Sequence, residues 1–259
     1  MNNVFALAGV VIKELYRRKD FYVLFVLTAL LTLILGSANI FNDEQIVRYL
    51  KEICLLLIWV CSLVIAITTA ARQIPAERES RTIFPLLAKP VTRAQLIGGK
   101  FVGCWLACGI SLLLFYFFYG VIIGSREHAL AFTPYFQAVW LHWICLGIVT
   151  AMVLLGSVVF TAPSSNATIC FIVIIGLLFA GQYLNRIAAG IGGVEGAITY
   201  ALYYFIPHLE FFDIRKIIVH NHAPVTALAV EGATLYGALY SVFLLALAWG
   251  IFRRKALTV

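Results

Sequence analysis

Few side chains in this sequence are arranged as chemistry would require, and a phosphate-binding loop is the first arrangement to test. Gly98-Gly99-Lys100 matches the end of a glycine-rich loop that cradles phosphate groups. Ala94 stands where such a loop needs its first glycine, and Phe101 replaces the Ser or Thr that would hold magnesium. The sequence therefore predicts no nucleotide site in this chain.

Histidine and cysteine, the usual metal ligands and frequent catalytic groups, are scattered along the chain. The five histidines form no HExxH pair, and only His220 and His222 are close together in sequence. The six cysteines all fall in apolar segments and form no CxxC pair, which favours a packing role over metal or redox chemistry. We therefore predict no enzymatic activity, no metal site and no cofactor in this chain.

Three polar side chains within apolar segments are candidates for a translocation path. Glu231 lies early in the last apolar segment, where a carboxylate is costly unless it is paired or faces water. His142 and Gln182 lie near the ends of two other apolar segments, where anchoring at the membrane interface is favoured over a role in the path.

The elements that hold these residues are predominantly apolar. The chain has 259 residues, of which 63% are hydrophobic and 12% charged, whereas about a quarter of residues are charged in soluble domains. It has room for about six spans of ~20 residues and for no separate soluble domain. We predict one all-α integral membrane domain, 1–259. Its six spans are predicted at 21–40, 53–71, 101–124, 135–160, 167–183 and 227–252.

The charges predict the orientation of these spans. With both termini in the cytoplasm, the inner side carries 13 basic and 4 acidic residues, and the outer side carries 6 basic and 8 acidic residues. Lys and Arg are retained on the cytoplasmic side, so this orientation is favoured. Because the net charge of +7 is divided between membrane sides, it does not indicate a nucleic-acid partner.

Three segments outside the spans have their own patterns. Residues 1–20 are predicted to form an amphipathic helix in the cytoplasmic interface. Residues 184–226 mix glycines, aromatics and charges, which favours one or two short helices dipping into the outer leaflet. Residues 41–52 are read as a polar connection and residues 161–166 as a turn, in which the sequon at Asn166 is a chance match. The Gly99-xxx-Gly103 and Gly120-xxx-Gly124 pairs could allow close helix approach.

The loop at 72–100 is the most specific feature, with six basic and two acidic residues between two spans. Its prolines limit helix to about residues 76–84 and to a restart after Thr92, which can cap a helix. Between the charges lie four apolar residues that a solvated loop would not need: Ile83, Phe84, Leu86 and Leu87. We interpret the loop as a docking element for a soluble partner. A loop packed on its own spans is the alternative.

Residues 77–100 read ERESRTIFPLLAKPVTRAQLIGGK. This stretch resembles the loop between spans two and three of ABC-2 type permeases, the membrane subunits of ATP-binding-cassette exporters. Arg81 departs from the glycine that many members carry, and this variation resembles the subgroup that includes the permease for nitrous oxide reductase copper-site assembly. Residues 1–20 resemble the family's elbow helix, and residues 204–220 resemble the subgroup's re-entrant region before the last span.

The resemblance implies a half-transporter in the prokaryotic inner membrane. Two permease copies would form a homodimer around a central path among membrane lipids, and each copy would dock one cytoplasmic ATPase subunit that binds ATP and Mg. A periplasmic accessory protein is a further implied partner. The resemblance implies that these residues form the ATPase-coupling helix and its flanks: Glu77, Arg78, Glu79, Arg81, Thr82, Phe84, Leu86, Leu87, Lys89, Pro90 and Arg93. The alternative function is an ion- or proton-coupled secondary transporter that uses Glu231, although no inverted repeat is evident.

Overall fold

The computed structural model describes residues 2–16, 44–79, 92–127, 132–190 and 206–254, with isolated positions at 22, 26, 30, 34, 195, 196, 198, 199 and 203. Every element in these ranges is helical. The helices are α1 Asn2–Tyr16, α2 Glu44–Ala71, α3 Pro75–Glu79, α4 Arg93–Glu127, α5 Phe132–Val159, α6 Pro163–Gly190, a 3₁₀ turn Leu209–Phe212, α7 Arg215–Val219 and α8 Ala227–Arg254. The all-α prediction is confirmed for the described residues.

Four of these helices are long and apolar enough to cross a membrane: α2 with its continuation to Glu79, α4, α5 and α8. The apolar part of α6, Pro163–Phe179, is shorter. The predicted first span, 21–40, lies outside the described residues except at four helical positions spaced four apart. The count of six spans therefore stays a prediction.

Two connections predicted from sequence are helical instead. Helix α2 begins at Glu44, so most of the polar connection predicted at 41–52 is helix. Leu50 and Cys54 lie on one helical face and are both buried, so packing extends the helix beyond its apolar run. Similarly, α6 begins at Pro163 inside the turn predicted at 161–166, because proline is well suited to the first turn of a helix.

The described helices bring specific chain segments together at each end of the bundle. At one end, which we call the loop end, the start of α4 meets the last turns of α5 and α8 in an apolar cluster formed by Ile74, Leu96, Ile97, Val158, Ala248 and Phe252. At the other end, which we call the distal end, Gln137 Nε2 near the start of α5 donates to the carbonyl of Val225 at 2.8 Å. Lys51 Nζ near the start of α2 donates to Asn221 Oδ1 at 3.1 Å.

Helix α5 lies at the centre of the described bundle. It packs against α2, α4, α6 and α8, and nearly all its side chains from Leu141 to Val158 are buried. A helix that is apolar on all sides is expected in such a central position. The polar side chains that α5 carries therefore face other helices.

Helix α1 packs against the beginning of α4 through two glycines. A Cβ atom on Gly99 would lie 2.7 Å from Leu7 Cβ, and one on Gly103 would lie 2.8 Å from Val11 Cβ. Only glycine permits this approach, so the close contact predicted from Gly99-xxx-Gly103 is confirmed. The position of α1 at a membrane interface stays a prediction.

Candidate functional site

The structure describes only part of the predicted coupling segment. Glu77, Arg78 and Glu79 lie on α3, and Arg93 begins α4. The helix predicted over 76–84 is observed at Pro75–Glu79. Seven predicted coupling residues lie outside the described residues: Arg81, Thr82, Phe84, Leu86, Leu87, Lys89 and Pro90.

Glu77 joins α3 to α4 through an ion pair. Its Oε1 atom contacts Lys100 Nζ, and the two side chains are 16% and 4% exposed respectively. An ammonium group that is almost fully buried needs such a partner, because leaving it unpaired would cost several kcal/mol, on the order of 3–5. The pair therefore holds the first side of the loop against the second turn of α4.

The two neighbours of Glu77 on α3 differ in their surroundings. Within the described part of the chain, the Nε and Nη2 atoms of Arg78 are buried and make no hydrogen bond. The side chain of Glu79 is exposed. Of the three charged residues on α3, Glu79 is therefore the one whose charge is most accessible to another protein.

Arg93 ties the second side of the loop to the end of α8. Its Nη1 atom donates to the carbonyl of Phe252 at 2.6 Å and to that of Arg253 at 3.1 Å. The guanidinium also lies over the Phe252 ring, 5.3 Å from its centroid. The last carbonyls of a helix lack partners within that helix and attract positive charge, so this contact caps α8.

The start of α4 is fixed by a capping box. The Oγ1 atom of Thr92 accepts a hydrogen bond from the backbone N–H of Gln95 at 3.2 Å, and Gln95 Oε1 accepts from the N–H of Thr92 at 3.0 Å. This reciprocal pair is a strong helix-start signal. It confirms the predicted cap at Thr92 and fixes the backbone at Arg93, where α4 begins.

The structure describes the side chains of two of the three candidate path residues, Glu231 and His142, and these two lie in different surroundings. Glu231 is exposed on the second turn of α8 and has no ion pair with a described residue. His142 on α5 has no exposed surface. Gln182 lies on α6, but its side chain is outside the described residues. Their role in a path stays a prediction.

His142 of α5 is held inside the bundle by side chains of two other helices, α2 and α4. Its Nε2 atom lies 2.8 Å from Ser62 Oγ, its Nδ1 atom lies 3.4 Å from Tyr116 Oη, and its ring stacks on Trp59 at 4.4 Å between centroids. The sequence favoured an interfacial anchor for this residue, whereas its side chain is fully buried among these partners. Trp59 and Ser62 are spaced three apart on α2, which places them on one face.

A charged pair from the segment between α6 and α8 reaches the same region. Arg215 donates to both carboxylate oxygens of Asp213, at 2.8 and 2.7 Å, and its guanidinium lies 5.2 Å from the centroid of the Trp59 ring. Burial alone would raise the pKa of Asp213, but the hydrogen bonds and charge of Arg215 lower it below its usual value. This pair was not predicted from the sequence, because a spacing of two residues does not by itself indicate that two side chains are in contact.

Long apolar helices packed around a central one, with charged side chains anchoring a loop at one end, define a multi-pass helical membrane protein. The chain belongs to the ABC-2 family: a model described as "ABC-2 family transporter protein" matches residues 10–255. No curated protein matches the chain. The match supports the family and not the narrower copper-assembly subgroup. A family of this kind supplies a membrane component rather than a catalytic domain, and in general works with an ABC ATPase.

Proposed function

We propose that this chain is the permease subunit of an ABC exporter in a prokaryotic inner membrane, with both termini in the cytoplasm. Two copies form the translocation path, and each binds one cytoplasmic ATPase subunit at the loop end. ATP and Mg are bound by the ATPase, and this chain supplies the moving spans. Family membership and the basic charge of the loop support this orientation.

The observation that carries the proposal is the anchoring of the loop on both sides. On one side, Glu77 contacts Lys100 of α4. On the other side, Arg93 binds the carbonyls of Phe252 and Arg253 at the end of α8. A displacement of the loop would therefore be transmitted to two long apolar helices rather than absorbed by a free connection.

The neighbouring apolar cluster adds stiffness to this connection. Ile74 precedes α3, Leu96 lies on α4 and Phe252 lies on α8, and all three are almost completely buried. Packed side chains shift between discrete arrangements rather than deform continuously. ATP-driven movement of the ATPase pair would select between two such arrangements, and differential contacts in the two states would drive export.

Reconstitution with a cytoplasmic ABC ATPase subunit tests the proposal, and an ATPase gene adjacent to that of this chain, where there is one, supplies the subunit to use. We expect the two proteins to co-purify and the complex to hydrolyse ATP faster than the isolated ATPase. Glu79→Lys reverses an exposed charge on α3, so it should weaken ATPase binding without changing the unfolding temperature of the permease. Glu52→Lys, at an exposed position near the distal end, is the matched control and should leave binding unchanged.

Two results would contradict the proposal. One is the absence of any complex between the wild-type chain and its ATPase. The other is an equal loss of ATPase binding in Glu79→Lys and Glu52→Lys, because the two positions lie at opposite ends of the described bundle. Transport that continues without ATP and stops when the proton gradient is removed would favour the secondary-transporter alternative.

A further inference from the structure

A histidine and a glutamate form a buried pair in the segment between α6 and α8. His208 Nδ1 lies 3.7 Å from Glu210 Oε1, and the two side chains are 8% and 15% exposed. Within the described part of the chain, His208 Nδ1 and Glu210 Oε2 are buried and make no hydrogen bond. Buried polar atoms are nearly always satisfied, so this pair calls for a further partner.

Aromatic rings surround the imidazole of His208. Its centroid lies 4.3 Å from that of Tyr203, 5.1 Å from that of Phe211 and 6.3 Å from that of Tyr236. Ring faces carry partial negative charge, so they attract a cation and disfavour an anion. A neutral imidazole beside a buried carboxylate leaves one net negative charge among these rings, and a bound proton removes it.

We propose that His208 and Glu210 form a proton-binding site, in which the protonated imidazole is held between the Glu210 carboxylate and the surrounding aromatic rings. The ligand is a single proton. It allows Nδ1 to donate to Oε1, which closes the 3.7 Å separation into a charge-assisted hydrogen bond. In keeping with this, burial raises the pKa of Glu210, while the charge of His208 opposes that shift.

The pair is positioned to connect this segment with two long helices. Glu210 Oε2 lies against α6, where a Cβ atom on Gly181 would be 1.9 Å away. The backbone N–H of His208 donates to Tyr236 Oη of α8 at 2.9 Å. Tyr236 is nine residues after Ala227, which is roughly 14 Å along α8 at about 1.5 Å per residue. Proton binding would therefore hold this segment, which connects α6 to α8, against both helices at a position well inside the bundle.

Other titratable groups near the pair have different partners. The phenols of Tyr236 and Tyr203 face it, and the described side chains of α6 include no charged residue. Asp213 is paired with Arg215 at 2.7 Å and interacts electrostatically with His142 and Cys145 of α5.

The expected pH dependence follows from this geometry. The proton joins the two side chains only in the folded protein, so the stabilisation that it provides is present at acidic pH and is lost as the pH rises and the proton leaves. Hydrogen exchange of the full chain in lipid nanodiscs, corrected for intrinsic exchange rates, measures this. Amides of residues 208–212 should be about tenfold more protected at pH 5.5 than at pH 8.

Three variants decide the proposal. Glu210→Gln should remove the pH dependence, whereas His222→Asn, which alters an exposed histidine in the same connection, should retain it. If Glu210→Gln does not fold, Gly181→Ala keeps both titratable groups but displaces the carboxylate, and it should also remove the pH dependence. Protection that does not change with pH in the wild type would overturn the proposal. So would an unchanged response in Glu210→Gln or Gly181→Ala, or its loss in His222→Asn.

Discussion

Arg93, the first residue of α4, caps the end of α8 by donating a hydrogen bond to the carbonyl of Phe252, although the two residues are 159 positions apart in the chain. The contact combines a 2.6 Å hydrogen bond to the Phe252 carbonyl with the Phe252 ring 5.3 Å from the guanidinium carbon. It therefore joins the residue that closes the loop to the last turn of the final helix.

Removing this contact should destabilise the bundle. We expect Arg93→Ala to lower the free energy of unfolding by about 2 kcal/mol, the usual size for a hydrogen bond from a charged donor. Equilibrium unfolding in mixed micelles measures the change. Arg254→Ala removes an exposed arginine from the same helix end and should change stability by less than about 0.5 kcal/mol. Equal losses in the two variants would show that the Arg93 contact is not specific.

The Glu77–Lys100 pair allows a test by charge reversal. Lys100→Glu places two carboxylates at a largely buried position, so we expect a loss of about 3–5 kcal/mol. The double variant Glu77→Lys/Lys100→Glu restores opposite charges and should recover part of that loss. A double-mutant cycle on unfolding free energies measures the coupling. If the double variant loses as much unfolding free energy as the two single variants lose together, the pair does not join α3 to α4.

The contact between α1 and α4 provides a pair of matched glycine substitutions. A Cβ atom on Gly103 would lie 2.8 Å from Val11 Cβ and 3.0 Å from the Cα of Ala8, whereas one on Gly98 would have no atom within 4 Å. Both alanines gain the same helix propensity, so the difference between them isolates the steric conflict. We expect Gly103→Ala to be less stable than Gly98→Ala by about 1–3 kcal/mol, measured by thermal unfolding. Equal stabilities would mean that α1 is not held at this position.

The His142 contacts predict a different cost for two buried serines. Ser62→Ala removes the hydroxyl 2.8 Å from His142 Nε2 and leaves that nitrogen unsatisfied, so we expect a loss of about 1–3 kcal/mol. Ser111 is equally buried, but its hydroxyl donates only to the carbonyl of Ala107 in its own helix. Ser111→Ala should therefore cost less, and chemical denaturation of the two variants should separate them. Similar costs would indicate that the Ser62–His142 contact adds no stability.

Some features of the fold were predictable because they depend on neighbours along the chain. Thr92 and Gln95 form the capping box that their spacing indicates, and Gly99 and Gly103 lie on one face of α4 as residues four apart must. By contrast, Asn166 was predicted to lie in a turn, and it lies in the first turn of α6 instead. It is buried, and its Nδ2 atom donates to the carbonyls of Ala71 at 3.3 Å and Val153 at 3.2 Å.

The amino-acid sequence by itself determined that the chain is built from apolar helices, with a basic loop typical of ABC-2 permeases, because hydropathy, helix-start signals and motif spacing are properties of short stretches. The tertiary structure decided that His142 meets Ser62 across 80 residues, that Arg93 caps α8, and that Glu210 lies against Gly181. The helices are apolar on most of their surface, so hydrophobicity does not specify which faces meet. That choice depends on side-chain shape and on the pairing of the few buried polar groups.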